Sequence, residues 1–325
     1  MHNLPVFAGQ PSRIFCLDGG TGSELERRGS KMSDKCWSGK AGFENPVILE
    51  EIHTDYLKNG AEIIICNTFA TSSISLETEK LSPEVVHRIN DDACKIAMKV
   101  KNAADKPVAV AGSISHSIPY QPWNGKLICG MTPDHITEEA YVGSIKQQVK
   151  IFEENKVDVI FIEECYEPDR TSWNLKACQG SELPVWVGIS CKEVDGVIVT
   201  ARHENLYPLA DLVDVIMEYK SGVQAIGIMH TPAAIVQRCL EILQVKWSGP
   251  TYCYPEIGEY NPPHWVCVRL EQKVWADYVN TWAQMGCLMI GGCCGVMPDD
   301  IRIVADVIEG INEKNGKATF KDGAC

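Results

Sequence analysis

Along the chain, short apolar runs rich in β-branched residues alternate with longer segments whose apolar positions recur every three to four residues. Runs at residues 13–18, 62–68, 107–113, 157–163, 184–190, 225–229, 250–254 and 287–291 read as strands. Between them the spacing predicts helices, among them 46–59, 83–104, 133–155 and 204–220. Pro232 and Pro298 stand near helix starts, where a missing N–H does no harm. Gly60 and Gly222 stand near helix ends, where a left-handed residue fits.

Strands alternating with helices define βα units and a parallel sheet. Eight strands, each apolar along its length and so buried on both faces, favour an α/β fold of the (β/α)8 TIM-barrel type. The open, doubly wound sheet is the main rival. No linker of biased composition and no tandem repeat divides the chain, so residues 1–325 read as a single barrel domain. Segments 36–44 and 119–128 read as loop insertions after the first and third strands, and the polar stretch 314–325 as a frayed tail.

Charge narrows the partners. A formal net charge of -13 disfavours any extended nucleic-acid or anionic-membrane surface, since both would repel it. No apolar run approaches the ~18–20 residues that span a bilayer. A small-molecule ligand is what remains, and a homo-oligomer is compatible with the sequence. The fifteen cysteines show no framework spacing, and several, such as Cys16, Cys66 and Cys191, sit inside strand-like runs. With no basic stretch leading into an apolar one at the N-terminus, they read as buried thiols of a cytoplasmic protein.

In a barrel, chemistry sits at the C-terminal ends of the strands. Here those ends carry Asp18-Gly19-Gly20-Thr21-Gly22, then Asn67-Thr68, Ser113, Glu163-Glu164, Ser190, His230, Tyr254-Pro255-Glu256 and Gly291-Gly292-Cys293-Cys294-Gly295. Strand exits explain serine and threonine well, but Glu-Glu, His and Cys-Cys on separate strands less well. Neighbouring side chains on an extended chain point apart, so Cys293 and Cys294 converge on one metal only if the flanking glycines let the backbone turn. His230 is the best third ligand, giving a zinc site with one open position. A vicinal disulfide or two inert thiols is the competing reading. The glycines after the first strand do not spell a dinucleotide fingerprint. They suit close backbone approach to a ligand, with Asp18 aimed at a cation or else capping the following helix.

Taken together, these motifs resemble the homocysteine S-methyltransferase family, which includes betaine–homocysteine methyltransferase and the homocysteine domain of cobalamin-dependent methionine synthase. The resemblance spans nearly the whole chain. It rests on Leu17-Asp18-Gly19-Gly20, Glu24-Leu25-Glu26-Arg27-Arg28-Gly29, Asn67-Thr68-Phe69, the acidic end of the fourth strand, Pro184-Val185-Trp186 and Gly291-Gly292-Cys293-Cys294-Gly295.

That resemblance implies a barrel in which three cysteines hold zinc and the sulfur of homocysteine takes the fourth position. Cys293 and Cys294 match zinc ligands; Asp18, Gly19 and Thr68 match homocysteine-binding positions, and Gly20 and Ser190 complete the expected substrate set. The acidic residue that receives the amino group falls at Glu163 or Glu164. The chain departs from the family at the sixth strand, where Ile228-Met229-His230 replaces Val-Asn-Cys. Three thiolates on Zn2+ leave a net -1, whereas two thiolates and an imidazole leave zero, which makes a bound thiolate less nucleophilic. The segment 255–259 also follows the usual Pro-Asn-Ser-Gly-Glu only in part.

The implied activity is transfer of a methyl group from a sulfonium or quaternary ammonium donor to a thiol, with homocysteine giving methionine. Trp37, Tyr120, Trp123 and Tyr166 are aromatic candidates for cradling the donor cation. Two rivals use the same rim: a zinc-dependent lyase or hydrolase with Glu163 or Glu164 as general base, and a non-catalytic ligand-binding relative.

Overall fold

In the computed structural model, residues 12–322 are described apart from 34–35, 117–120, 124–125, 129–134, 202–205 and 262–263. All eight expected strands form: β1 (Phe15–Cys16), β2 (Ile63–Ile65), β3 (Ala109–Ser115), β4 (Val159–Cys165), β5 (Val185–Ile189), β6 (Val223–Pro232), β7 (Thr251–Glu256) and β8 (Cys287–Ile290). Each pairs in parallel with its sequence neighbours, and β8 pairs with β1. Between β1 and β2 the closure is a single parallel bridge, Leu17 to Ile63, with Asp18 N donating to Ile63 O at 2.9 Å. The sheet is thus a barrel and not an open sheet.

The period-two pattern of the strands sorts their side chains into two layers. Phe15, Leu17, Ile63, Ile65, Phe161, Trp186, Tyr252 and Met289 fill the barrel interior. Their strand neighbours Cys16, Ile64, Ile160, Ile162, Val187, Ile226 and Ile290 pack outward against the helices. Phe161 meets Trp186 edge-on, with centroids 6.0 Å apart, and Tyr252 at 5.0 Å. Met229 belongs to this interior. A Cβ on Gly188 of β5 would lie 1.9 Å from its Sδ, so the missing side chain on one strand makes room for the thioether of the next.

Among the described residues one long helix follows each strand: α1 (Pro46–Lys58), α2 (Pro83–Asn102), α3 (Glu138–Asn155), α4 (Pro168–Cys178), α5 (Leu209–Met217), α6 (Val236–Lys246), α7 (Gln272–Gln284) and α8 (Pro298–Asp322). Proline opens α1, α2, α4 and α8, at the position where its missing donor is harmless. Two helices start later than the pattern predicts. Thr137 caps α3, accepting from Ala140 N at 3.2 Å, so the helix begins at 138 and not 133. Pro208 likewise sets the start of α5. At the other end, α8 runs past Lys314 to Asp322, where polar composition predicts fraying.

The 36–44 insertion contains a short helix, Ala41–Glu44, and 119–128 contains a hairpin of Gln121–Trp123 against Lys126–Ile128. Further hairpins follow β5 and β7. No helix among the described residues is long and apolar enough to cross a membrane.

Candidate active site at the strand ends

The turn after β8 is held by its backbone. Gly292 N donates to Asp18 O at 3.2 Å, Cys293 N to Pro255 O at 2.6 Å, and Gly295 N to Ser23 Oγ at 3.1 Å, while Cys294 O accepts from Ile257 N at 2.9 Å. Gly295 has φ +81, and a Cβ there would lie 1.9 Å from Ile257 O. Only glycine fits, and its left-handed turn brings the Cys293 and Cys294 sulfurs to 3.7 Å.

His230 reaches the same point from the end of β6. Its Nδ1 lies 3.2 Å and its Nε2 3.4 Å from Cys293 Sγ, and Nε2 lies 3.2 Å from Glu163 Oε2. The Phe69 ring packs against the imidazole at 5.4 Å. Ligand atoms of His230, Cys293 and Cys294 all fall within 4.8 Å of one another, and all three residues are buried. Two thiols and an imidazole in that compass are a donor set suited to a thiophilic divalent metal. It is the one such cluster of histidine, cysteine and carboxylate groups among the described residues.

Strain marks the same spot. His230 (φ +43), Glu164 (φ +58) and Trp37 (φ +44) are three of the six non-glycine residues with positive φ among the described residues, and all three sit at this rim. The cavity they flank is narrow, about 50 Å3, and is lined by Trp37, Asn67, Phe69, Glu163, Tyr254 and the three donors, with Gly20, Thr21 and Gly22. A larger cavity of about 460 Å3 lies on the flank between α2 and α3, away from the strand ends. The converging donors, and not size, mark the first as the reactive one.

Of the residues expected at the site, Glu163, Gly20, His230, Cys293 and Cys294 line the cavity. The others stand one step back. Asp18 is wholly buried; its Oδ2 accepts from Ile65 N at 2.8 Å and its Oδ1 from Tyr254 Oη at 3.0 Å. It does not cap the helix Thr21–Arg27, whose N-cap is Gly20. Gly19 O accepts from the same Tyr254 hydroxyl at 2.9 Å. Thr68 Oγ1 donates to Ser113 O and accepts from Ser113 N, tying the β2 loop to β3. Ser190 Oγ donates to His230 O at 2.7 Å. Of the adjacent acids, Glu163 reaches into the cavity, while Glu164 is buried beside it without lining it.

Among the aromatics, Trp37 lines the cavity, but Tyr166 already carries the Arg170 guanidinium over its ring at 5.0 Å. Tyr120 and the side chain of Trp123 lie outside the described residues. Phe69 and Tyr254 line the cavity as well, and in the sequence each is marked only as an aromatic at a strand end.

Electrostatics separate the two thiols. A hydrogen bond from Cys293, outweighing burial and reinforced by the imidazole, lowers Cys294 to about 7, while burial pushes Cys293 well up. Burial opposes charge on His230, but hydrogen bonding to Cys294 and Glu163 outweighs it and holds the imidazole well above its usual range. Burial also raises Asp18, with the Ile65 and Tyr254 hydrogen bonds offsetting it only in part.

Fold and site together define a (β/α)8 enzyme with a buried thiol and imidazole centre at the strand ends. The chain belongs to the homocysteine S-methyltransferase family, which it matches over residues 15–308. It is 25% identical to a selenocysteine methyltransferase of Astragalus bisulcatus, over 93% of this chain and 94% of that one. It is 29% identical to a selenocysteine Se-methyltransferase of Brassica oleracea var. italica, over 89% and 87%. Among solved structures, the metallated form of the Escherichia coli homocysteine methyltransferase MmuM superposes with a TM-score of 0.72, 22% identity, and coverage of 92% and 96%.

Proposed function

We propose that this chain, acting as a single barrel domain in a reducing cytoplasm, is a zinc-dependent S-methyltransferase. It moves a methyl group from a sulfonium or quaternary ammonium donor to a thiol, with homocysteine as acceptor and methionine as product. The observation that carries this reading is the convergence of His230, Cys293 and Cys294 within 4.8 Å at the wall of the cavity that Glu163 also lines.

His230, Cys293 and Cys294 would hold the metal. When bound, zinc supplies Lewis acidity that keeps an acceptor thiol deprotonated near neutral pH. The chain's own residues do the rest. Glu163, buried in the cavity wall, offers negative charge to the acceptor's ammonium group. Asp18, pinned by Ile65 N and Tyr254, holds β1 to β2 beneath the cavity and fixes the Gly19-Gly20 turn. Phe69 and Trp37 line the cavity with apolar surface, which favours desolvated reactants over bulk water. The acceptor sulfur attacks the methyl carbon, a new S–C bond forms, and the donor's bond to that carbon breaks as it leaves as a neutral sulfide or amine.

The test is zinc content and turnover on protein purified under reducing conditions. About one zinc per chain is expected, as is methionine formation from homocysteine with S-methylated methionine or betaine supplied as donor. Zinc-loaded protein that methylates no thiol from either donor class would favour a hydrolytic or ligand-binding role. Protein that holds no zinc while its thiols are reduced would remove the metal from the mechanism.

A further inference from the structure

We infer that Glu163 is a positioning residue for the metal centre: its carboxylate fixes the His230 tautomer and leaves Nδ1 as the imidazole's donor atom. This rests on the metal-dependent reading above and goes beyond it. An ionised carboxylate can only accept, so at 3.2 Å Glu163 Oε2 requires the proton to sit on His230 Nε2. An imidazole that ligates a metal gives up its second proton and keeps one N–H, and with that proton on Nε2 the lone pair is on Nδ1. That atom is also the nearer of the two nitrogens to Cys293 Sγ, at 3.2 Å against 3.4 Å.

The rest of the environment holds the ring in this pose. The His230 backbone is in the left-handed region, its carbonyl takes the Ser190 hydroxyl at 2.7 Å, and Phe69 covers the ring at 5.4 Å. Thr231 Oγ1 donates to Met229 O and accepts from Cys191 N, clamping the strand end on both sides. Glu163 projects from β4, two strands away from β6, so the contact crosses the barrel mouth and is not a by-product of local chain geometry.

A second consequence follows from charge. Two thiolates and a neutral imidazole on a divalent cation sum to zero. With Glu163 hydrogen-bonded to the imidazole, the assembly carries the single negative charge that a third thiolate would otherwise bring. The His–Glu pair thereby does the work of one cysteine at the metal, and Glu163 supports the metal only because position 230 is histidine.

The test compares Glu163→Gln in two backgrounds, reading zinc affinity by competition with a chromophoric chelator. In the wild-type background the substitution is expected to weaken zinc binding about 10–100-fold, the usual effect of losing a supporting hydrogen bond to a ligating histidine. In a His230→Cys background, which has no N–H to orient, it should change affinity less than about twofold on the same scale. Nitrogen-15 shifts of labelled histidine in the zinc-loaded protein give the independent signature, with Nδ1 metal-bound and Nε2 protonated. Glu163→Asp, which withdraws the carboxylate but keeps its charge, guards against a variant that fails to fold and should weaken zinc binding as Gln does. Unchanged affinity in Glu163→Gln, an equal loss in both backgrounds, or zinc on Nε2 would each overturn the inference while leaving the methyltransferase reading in place. Absence of zinc from the wild-type protein would instead overturn that reading itself.

Discussion

Two strand ends supply the centre, and they are built differently. After β8, Cys293 and Cys294 are placed by main-chain hydrogen bonds to Asp18, Pro255 and Ile257 and by glycines that no other residue could replace. At the end of β6, His230 is placed by side chains: Ser190 on its carbonyl, Glu163 on its ring and Phe69 against its face. A donor set by backbone is insensitive to most neighbouring substitutions and very sensitive to a few. A donor set by side chains can be changed by evolution one contact at a time.

Gly295→Ala should break the first arm most severely. It combines φ +81 with a Cβ 1.9 Å from Ile257 O, so the turn must move or the substitution must be tolerated at a cost on the order of 3 kcal/mol. Thermal unfolding should show the loss and zinc content should fall with it. A stable, zinc-replete Gly295→Ala protein would mean that the turn is softer than its hydrogen bonds imply.

His230→Ala tests the second arm without touching the first. Removing a ligand should cost more than the ~100-fold upper range for a lost supporting contact, while the melting temperature of the metal-free protein changes little. If zinc remains bound with undiminished affinity, the third donor is elsewhere.

Much of this contrast was legible in the sequence. The eight apolar runs give the eight strands, because a strand buried on both faces must be apolar throughout. The Gly-Gly-Cys-Cys-Gly string marks the β8 turn, since the adjacent sulfurs converge only if the backbone bends there. His230 was recognisable as a donor-capable residue at a strand end. What one-dimensional pattern could not carry is which way a buried carboxylate faces. Glu163 and Glu164 are adjacent and both acidic, yet Glu163 lines the cavity and Glu164, with its positive φ, stands beside it. Asp18 and Thr68 illustrate the same limit. Their positions were clear, but their partners Tyr254 and Ser113 come from strands far away in sequence.

The two thiols of the β8 turn should also be distinguishable from each other. With Cys294 lowered to about 7 and Cys293 raised, one thiol in the metal-free protein titrates near neutrality and the other does not. A lowered acid gains its reactive, deprotonated form as pH rises through that value. Alkylation by iodoacetamide should therefore run about tenfold faster at pH 8 than at pH 6, and Cys294→Ser should abolish that phase. A reactive phase with its midpoint above 9 would mean that burial, and not the neighbouring thiol and imidazole, governs the pair.

The smallest expected effect is the most diagnostic of how the β6 end is built. Ser190 touches no ligand atom; its hydroxyl donates only to the His230 carbonyl, at 2.7 Å, on a residue whose backbone is held in the left-handed region. Ser190→Ala removes one buried hydrogen bond, worth about 1 kcal/mol, and leaves that carbonyl without this donor. If the strain at His230 is maintained by its neighbours, that energy comes out of the placement of the ring. Zinc affinity should then fall about fivefold, the equivalent of about 1 kcal/mol, with global stability lowered by a similar small amount. In His230→Ala the same substitution should leave residual zinc binding unchanged, because there is no imidazole left to place. A loss of zinc affinity of the same size in that background would show that Ser190 supports the barrel rim generally, and that the β6 end is fixed by its backbone much as the β8 turn is.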